Sequence, residues 1–227
     1  MTTENLKLVA KIKINGFIVA QTGLHIGGSK TALDIGGIDL NVIKTVEGVP
    51  FVPGSSLKGK LRTMLAREAG SMKVSEDRGA ILEIFGGGER NAPQAGRLIV
   101  RDAFLDSTHF KKTFDEMELE LPWTESKWEN TINRKTGTAE HPRQLERVPA
   151  GTRFAFEIIY NNMNDNRADQ HLNEIRKAMR LLQDDYLGGQ GSRGYGAITF
   201  EKMTKTTRKI DDYRAGLNGT TEPFSLV

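Results

Sequence analysis

Alternating hydrophobic and polar residues define the first predicted element, a strand over residues 8–20. Ala10, Ile12 and Ile14 share one face of this strand, opposite two lysines, and a period of two is typical of a strand that buries one side. A second clear strand covers residues 153–160, which are rich in aromatic and β-branched side chains. The pattern therefore predicts a sheet with one buried face.

Two longer segments repeat hydrophobic residues with the period of a helix. The first follows the turn at Pro53-Gly54, has Ser55 or Ser56 as its predicted N-cap, and runs to about Ala69. Its apolar face carries four residues: Leu57, Leu61, Met64 and Leu65. The second covers about residues 168–186. Both are long enough to pack one side against the sheet.

The order of the elements predicts an α+β fold. A short helix over residues 79–85 and strands over 97–105 and 197–203 complete the series. Strand, turn, helix, strands, helix, Gly-rich loop and strand suit an RRM-like, ferredoxin-like βαββαβ core with the helices on one face. The RNP1 aromatic motif of a true RRM is absent from the sequence.

Three stretches fall outside this core pattern. Residues 122–150 are basic and turn-rich, and we expect them to form a protruding hairpin or arm. The glycine-rich stretch 86–91 is expected to be a mobile surface loop. The polar tail from Thr204 is expected to fray, although residues 224–227 could dock on the body.

Composition narrows the function classes. A chain of 227 residues can bury a full core, as one large domain or as a core with sizeable insertions. It has no cysteine, which excludes disulfides, a thiolate zinc site and a cysteine nucleophile, and its four histidines lack metal-ligand spacing. Without a signal peptide or a long apolar run, we expect a soluble, cytoplasmic protein with no membrane partner. A net charge of +3 permits a nucleic-acid partner without requiring one.

The predicted helix start near residue 54 carries three cations, Lys58, Lys60 and Arg62. Cations there oppose the helix dipole, which favours anions at its N-terminus. One interpretation is that an external phosphate binds at this turn, held by backbone N–H groups, two serine hydroxyls and the cations. A solvated basic helix start explains this stretch equally well. A Walker A loop does not fit, because Leu61 stands where a magnesium-binding Ser or Thr is required.

A second glycine-rich loop, residues 187–196, contains the pattern G-x-G-x-x-G at Gly189, Gly191 and Gly194. A helix precedes it and a strand follows, which is the reverse of a dinucleotide-binding loop. Its glycines, together with Arg193, still favour a close approach to an anion or to another backbone.

A third glycine-rich loop carries two acids, Asp34 and Asp39. Such a carboxylate could act as a base or bind a hard cation such as Mg²⁺, although an Asx-turn cap is the commoner role of Asp in loops. His25 lies between two apolar residues and is expected to be structural rather than a ligand. Asp102 is expected to pair with Arg101 at the end of a strand.

Five motif segments occur in a characteristic order: HIGG at 25–28, IGGID at 35–39, VPGSSLKGKLR at 52–62, ENTINR at 129–134 and LGGQGSRGYG at 187–196. Together they resemble the RAMP-superfamily backbone subunits of type III-A CRISPR effectors, the third subunit of the Csm complex. The resemblance spans about residues 8–203. Each segment is weak alone, and the combination is specific.

The resemblance implies a function in RNA-guided RNA cleavage. It implies that several copies stack head-to-tail along the CRISPR RNA with other subunits of the Csm complex, and that complementary target RNA is cut at regular intervals with a divalent metal ion, Mg²⁺ or Mn²⁺. The essential acid maps to Asp39, as base or metal ligand. The implied RNA-binding residues are His25, Ser55, Ser56, Lys58, Lys60, Arg62, Asn133, Arg134, Gly191 and Arg193. The alternative is a non-catalytic subunit that only organises the guide RNA.

The resemblance also divides the chain, as a single RAMP domain over residues 1–227. The RRM-like core is expected at about 8–21, 42–70, 97–106 and 152–203, with lid-type insertions at about 22–41 and 71–96. A thumb-type insertion is expected at about 122–150, followed by the C-terminal tail at 204–227. Leu40-Asn41 departs from the family, in which a small polar residue and a proline often follow the acid.

Overall fold

The computed structural model describes residues 6–28, 40–87, 94–115, 119 and 121–226. Within these ranges the strands are β1 Leu8–Ala20, β2 Phe51–Val52, β3 Leu98–Val100, β4 Ala103–Leu105, β5 Glu125–Ile132, β6 Ala139–Arg147, β7 Arg153–Met163, β8 Ile198–Lys209 and β9 Thr220–Pro223. The α-helices are α1 Gly54–Glu68, α2 Gly79–Phe85, α3 Ser107–Phe114, α4 Ala168–Gln183 and α5 Ile210–Arg214. The sequence predicts an α+β fold, and the combination of helices and strands is confirmed.

An antiparallel sheet organises the described part of the chain, with strand order β2-β4-β7-β1-β8-β9 and with β3 pairing to β7. Its longest strand, β1, lies between β7 and β8, so that Ile14 is opposite Ile158 on one side and Lys205 on the other. The predicted inward face is confirmed, because Ala10, Ile12 and Ile14 are all buried.

Helices α1 and α4 complete the core on the buried face of the sheet. The predicted apolar face of α1 is buried, and α4 buries residues such as Leu172, Ile175 and Met179 in the same hydrophobic cluster. The segment predicted as one strand over 97–105 forms two short strands, β3 and β4, because the strand is interrupted at Arg101 and Asp102. The predicted elements over 8–20, 79–85 and 153–160 are present with small differences at their ends, whereas the strand predicted over 197–203 continues to Lys209.

Two local predictions at the start of α1 are wrong. The helix begins at Gly54, so Ser55 and Ser56 lie in its first turn and no side chain of the N-cap residue, Pro53, caps it. Asp102 caps the helix instead, by accepting a hydrogen bond of 2.7 Å from the backbone N–H of Gly54. Asp102 therefore forms no strand-end pair with Arg101, whose Nε lies 2.7 Å from the carboxylate of Glu157.

Strands β5 and β6 form the hairpin that the basic stretch 122–150 predicts. We call residues 125–129 and 143–147 its base and residues 130–142 its tip. The tip is exposed to solvent, apart from the partly buried Asn133, whereas the base buries Leu145 and Glu146. The register shifts between Glu129 and Thr131, where the base ends.

The expected fraying of the tail is wrong, and the expected docking of residues 224–227 is confirmed for its described part. Strand β8 continues to Lys209, β9 pairs with it, and Phe224 and Leu226 are buried. Arg180 on α4 donates a hydrogen bond of 2.6 Å to the carbonyl of Leu226. The polar composition of this region gives no signal of its structure, in which one part pairs along the sheet and another packs on α4.

A buried polar cluster joins α2, β7 and α4. Arg97 makes a two-pronged ion pair with Asp165, and this contact holds the pKa of the Asp165 carboxyl below its usual range. His171 is fully buried, with Nδ1 2.8 Å from the Tyr160 hydroxyl and Nε2 3.2 Å from the Glu83 carboxylate. Burial lowers the pKa of His171, and the nearby Arg97 contributes to the same direction.

Every helix within the described ranges is too short or too polar to cross a lipid bilayer.

Candidate nucleic-acid interface

Residues 55–62 of α1 include the largest group of predicted RNA-binding residues. Ser55 is exposed and Ser56 partly buried, at a helix start whose first N–H is already bound by Asp102. This carboxylate supplies the anion that the helix dipole favours, at the end where an external phosphate was expected. Gly54 permits the start of α1 to lie against the backbone that follows β3, because a Cβ atom there would lie 2.2 Å from the carbonyl oxygen of Val100.

The three cations of α1 have partners within the fold. Lys58 Nζ donates a hydrogen bond of 2.9 Å to the carbonyl of Leu98, and burial lowers the pKa of Lys58, with a smaller contribution from Arg62. Arg62 Nε donates a hydrogen bond of 2.6 Å to the buried Asp77. A phosphate that binds these cations must share or replace their present partners.

Lys60 connects α1 to the glycine-rich loop of residues 187–196, which we call the Gly-rich loop. Its Nζ lies 3.1 Å from the Asp185 carboxylate and 3.6 Å from the centre of the Tyr186 ring. The same ring packs against Gly191, where a Cβ atom would lie 2.1 Å from ring carbons. The lack of a side chain at Gly191 therefore brings the Gly-rich loop next to Lys60 of α1.

His25 connects the Gly-rich loop to the hairpin base. Its Nδ1–H donates a hydrogen bond of 2.7 Å to the carbonyl oxygen of Glu146, and its own carbonyl accepts one of 2.8 Å from the N–H of Gly189. Gly188 lies so close that a Cβ atom would be 2.2 Å from that carbonyl oxygen. These contacts, with only 6% of His25 exposed, are those of a structural residue, as the sequence suggested. Its contact with RNA stays a prediction.

Glu146 holds the segment that follows Asp39. Its N–H donates to the carbonyl of Leu40, and its buried carboxylate accepts hydrogen bonds from the N–H of Val42 and the hydroxyl of Thr124. The ammonium group of Lys44 pairs with the same carboxylate. Sequence reasoning missed Glu146, because nothing local distinguishes it from the exposed acids of the hairpin.

Asp39, the predicted catalytic and metal-binding acid, lies outside the described residues, as does Asp34. Leu40, bonded to Asp39, is described and forms a bridge with Leu145 of the hairpin base. Among the described residues, no group of three or more His, Cys, Asp or Glu side chains is placed to hold a metal ion. The catalytic acid and its metal therefore stay predictions.

The two predicted RNA-binding residues of the hairpin tip, Asn133 and Arg134, differ in their surroundings. Asn133 Oδ1 accepts hydrogen bonds from the N–H groups of Lys135 and Thr136, and its amide group donates to Glu140. These are the contacts of a residue that forms a turn. Arg134 beside it is exposed. The tip therefore presents a cation on an ordered turn, at the far end of the hairpin from Glu146.

Arg193 lies on the Gly-rich loop and contacts the hairpin base. Its Nη1 donates hydrogen bonds of 3.0 Å to the carboxylate of Glu129 and 3.0 Å to the side chain of Gln190. Tyr195 is buried beneath this contact, with Lys127 above its ring. Burial, followed by the neighbouring Glu129, raises the pKa of Tyr195 to about 12. Sequence reasoning found Arg193 and missed its acidic partner.

Comparison with known proteins agrees with the motif resemblance. The RAMP superfamily model matches residues 17–199. The "CRISPR system Cms endoribonuclease Csm3" of Streptococcus thermophilus is 45% identical over 206 residues, which cover 87% of this chain and 90% of the relative. The protein of the same name from Methanocaldococcus jannaschii is 40% identical over 232 residues, covering 96% and 90%.

A solved structure shares the fold. It is the crystal structure of a Csm3–Csm4 subcomplex in the type III-A CRISPR-Cas interference complex. The matched chain has a TM-score of 0.62 and 27% identity, over 96% of this chain and 90% of that one. The chain therefore belongs to the RAMP superfamily and, within it, to the Csm3 family.

Proposed function

We propose that this chain is a repeating backbone subunit of a cytoplasmic type III-A CRISPR effector complex, which binds the CRISPR RNA and cleaves complementary target RNA at regular intervals. The observation that carries the proposal is the chain of contacts that joins Leu40, the hairpin base, the HIGG segment and the Gly-rich loop. Leu40, next to Asp39, contacts the hairpin base, the base contacts His25, and His25 contacts the Gly-rich loop. The relatives named as endoribonucleases support the cleavage activity, and the Csm3–Csm4 subcomplex supports assembly with other Csm subunits.

The finer architecture follows from the same proposal. The strand order β8-β1-β7-β4, with α1 and α4 packed on one face, supports a ferredoxin-like, RRM-like core. The hairpin of β5 and β6 is the thumb in this interpretation, and its exposed tip is the part that separates guide from target. Stacked copies, head-to-tail, would repeat that separation along the RNA.

The guide RNA would be held by its phosphates. Contacts to phosphates fix position but carry no information on base sequence, so the subunit should accept any spacer, and base pairing should select the target. The cations of α1, Gly191 and Arg193 support this role, since Tyr186 brings Lys60 of α1 next to the Gly-rich loop. His25 and the hairpin residues Asn133 and Arg134 complete the proposed contacts.

Cleavage would use the nucleophile that RNA itself carries, the 2′-hydroxyl. The protein needs to splay one nucleotide so that the 2′-oxygen, the phosphorus and the leaving 5′-oxygen are in line. Asp39 would take the 2′-proton or bind a divalent ion together with RNA phosphates. When bound there, Mg²⁺ or Mn²⁺ would stabilise the negative charge that develops on the reacting phosphate. Glu146, through Leu40, fixes the chain next to Asp39.

The test compares complexes assembled with guide RNA and either the wild-type chain, Asp39→Ala or Asp34→Ala. End-labelled complementary RNA is incubated with Mg²⁺, with Mn²⁺ or with EDTA, and target binding is measured in parallel. We expect a regular ladder for the wild type and Asp34→Ala, and none for Asp39→Ala or with EDTA, while binding persists in every case. Asp34→Ala is the matched control, because it removes an acid from the same loop.

A ladder that survives Asp39→Ala would move catalysis to another residue or subunit. The chain would then be the alternative, a scaffold that organises the guide RNA without cutting its target. A ladder that survives EDTA would refute the metal requirement alone. Loss of target binding in Asp39→Ala would instead assign this acid a structural role.

A further inference from the structure

Arg193, a predicted RNA-binding residue of the Gly-rich loop, has its acidic partner on another element, the hairpin base. Its Nη1 donates a hydrogen bond of 3.0 Å to Glu129 on the hairpin base and another of 3.0 Å to Gln190, which lies on the Gly-rich loop like Arg193. About half of the Arg193 side chain is exposed (47%), whereas 11% of Glu129 is. The carboxylate is therefore fixed in the protein, and the guanidinium remains open to an incoming ligand.

Glu129 is set up to hold a cation. Arg143, directly opposite on β6, lies 3.3 Å from the same carboxylate oxygen that binds Arg193. Within the described ranges the other oxygen of Glu129 is buried without a hydrogen-bond partner. Since a buried carboxylate is costly without compensating cations, Glu129 keeps Arg143 as a partner if Arg193 leaves.

A phosphate and a carboxylate compete for the same face of a guanidinium. Both accept charge-assisted, often two-pronged hydrogen bonds from arginine. The contact between Glu129 and Arg193 uses one of the N–H groups that a phosphate would use. Binding of RNA at the Gly-rich loop must therefore be weakened by whatever free energy this ion pair supplies.

We propose that Glu129 is an internal competitor of the RNA phosphate, which holds Arg193 against the hairpin base and lowers the affinity of the free chain for RNA of any sequence. RNA that binds the Gly-rich loop takes Arg193 from Glu129 and so removes a contact between that loop and the hairpin. The same exchange connects occupancy by the guide to the hairpin that meets the target. The inference rests on the proposed RNA-binding function of this site.

The experiment measures binding of a fluorescently labelled single-stranded RNA to the full-length chain by anisotropy. The variants are Glu129→Gln, Arg193→Gln, the double variant, and Glu125→Gln. Glu125 is the matched control, because it is another acid of β5, paired at 2.7 Å with Arg147 rather than with Arg193. Thermal unfolding of each variant is recorded alongside.

Glu129→Gln should bind RNA about two- to fivefold more tightly than the wild type, which is the range that a partly exposed ion pair can supply. Arg193→Gln should bind more weakly, with a salt dependence reduced by about 0.7 in log–log slope. In the Arg193→Gln background, Glu129→Gln should bring no gain, and Glu125→Gln should bring little in any background.

Unchanged or weaker binding by Glu129→Gln would overturn the inference, and weaker binding would mean that Glu129 positions Arg193 for RNA. A gain that persists without Arg193, or an equal gain in Glu125→Gln, would reduce the effect to general repulsion and also overturn it. Failure of the wild-type chain to bind RNA would instead refute the proposed function. Normal RNA binding by Arg193→Gln would remove Arg193 from the site and would also overturn the inference.

Discussion

His171 makes the stability of the fold depend on pH. Burial lowers its pKa in the folded protein, whereas the unfolded chain titrates near pH 6.5. As the pH falls below about 6.5, the unfolded state therefore binds a proton that the folded state binds less readily, and stability is lost. From about one unit above that pH the effect is small, because few unfolded molecules bind this proton.

The free energy of unfolding should fall between pH 7.5 and 5.5, by at most about 1.4 kcal/mol per pH unit for this one proton. Urea unfolding at several pH values measures it. His171→Gln should flatten the dependence, whatever its effect on stability at pH 7.5, whereas His141→Gln on the exposed hairpin should leave the slope as it was. An unchanged slope in His171→Gln would show that other groups titrate in this range.

At this scale, sequence reasoning finds residue types and misses their partners. Lys60, Arg62 and Arg193 stand out as cations in loops and helix starts. The acids that pair with Lys60 and Arg193, Asp185 and Glu129, come from segments far away in the chain, and only the fold brings them together. The predicted cap of α1 is wrong for the same reason, since Asp102, which caps the helix, is 48 residues from the N–H that it binds.

Helix α1 contains two glycines with opposite requirements. Gly59 is exposed, with open space where a Cβ atom would be, whereas Gly54 is buried against the backbone of β3 and its following residues. Gly59→Ala should therefore stabilise the RNA-free chain by about 0.5–1 kcal/mol, because alanine loses less backbone entropy in a helix. That gain corresponds to a rise of about 1–4 °C in thermal midpoint.

Gly54→Ala is the matched control for this prediction. The added methyl group would meet the carbonyl of Val100 at 2.2 Å, so the variant should be destabilised by about 1–3 kcal/mol or more. Calorimetry on both variants without RNA measures the two shifts. Equal effects of both substitutions would contradict the difference in their surroundings.

Elements with a regular hydrophobic period were predictable, and those held by pairing were not. β1 alternates clearly and α4 repeats every three to four residues, so both were found close to their observed bounds. The second half of β8 is rich in Thr, Lys and Arg and has no apolar face. Its neighbours β1 and β9 hold it in the sheet, and sequence periodicity carries no signal of such pairing.

For the molecule as a whole, the C-terminal segment closes the core. Phe224 and Leu226 are buried in the same hydrophobic cluster as α4. Deletion of residues 224–227 should lower the free energy of unfolding by at least about 3 kcal/mol, as expected for exposing two large apolar side chains. The midpoint of guanidinium unfolding measures the loss.

Leu217→Ala is the control for this deletion, because Leu217 is in the same C-terminal region and more than half exposed (57%). Its truncation should change stability by less than about 0.5 kcal/mol. A deletion variant as stable as the wild type would show that these side chains pack without contributing to stability.

The central position of β1 has a consequence for synthesis on the ribosome. Both of its neighbours, β7 and β8, are encoded more than a hundred residues later. At about 5–20 residues per second, the nascent first strand waits roughly 10–40 s for its last neighbour to be translated, with its apolar side uncovered. The yield of folded subunit in the cell should therefore depend on how well a chaperone protects the nascent strand, and less on the rate of local folding.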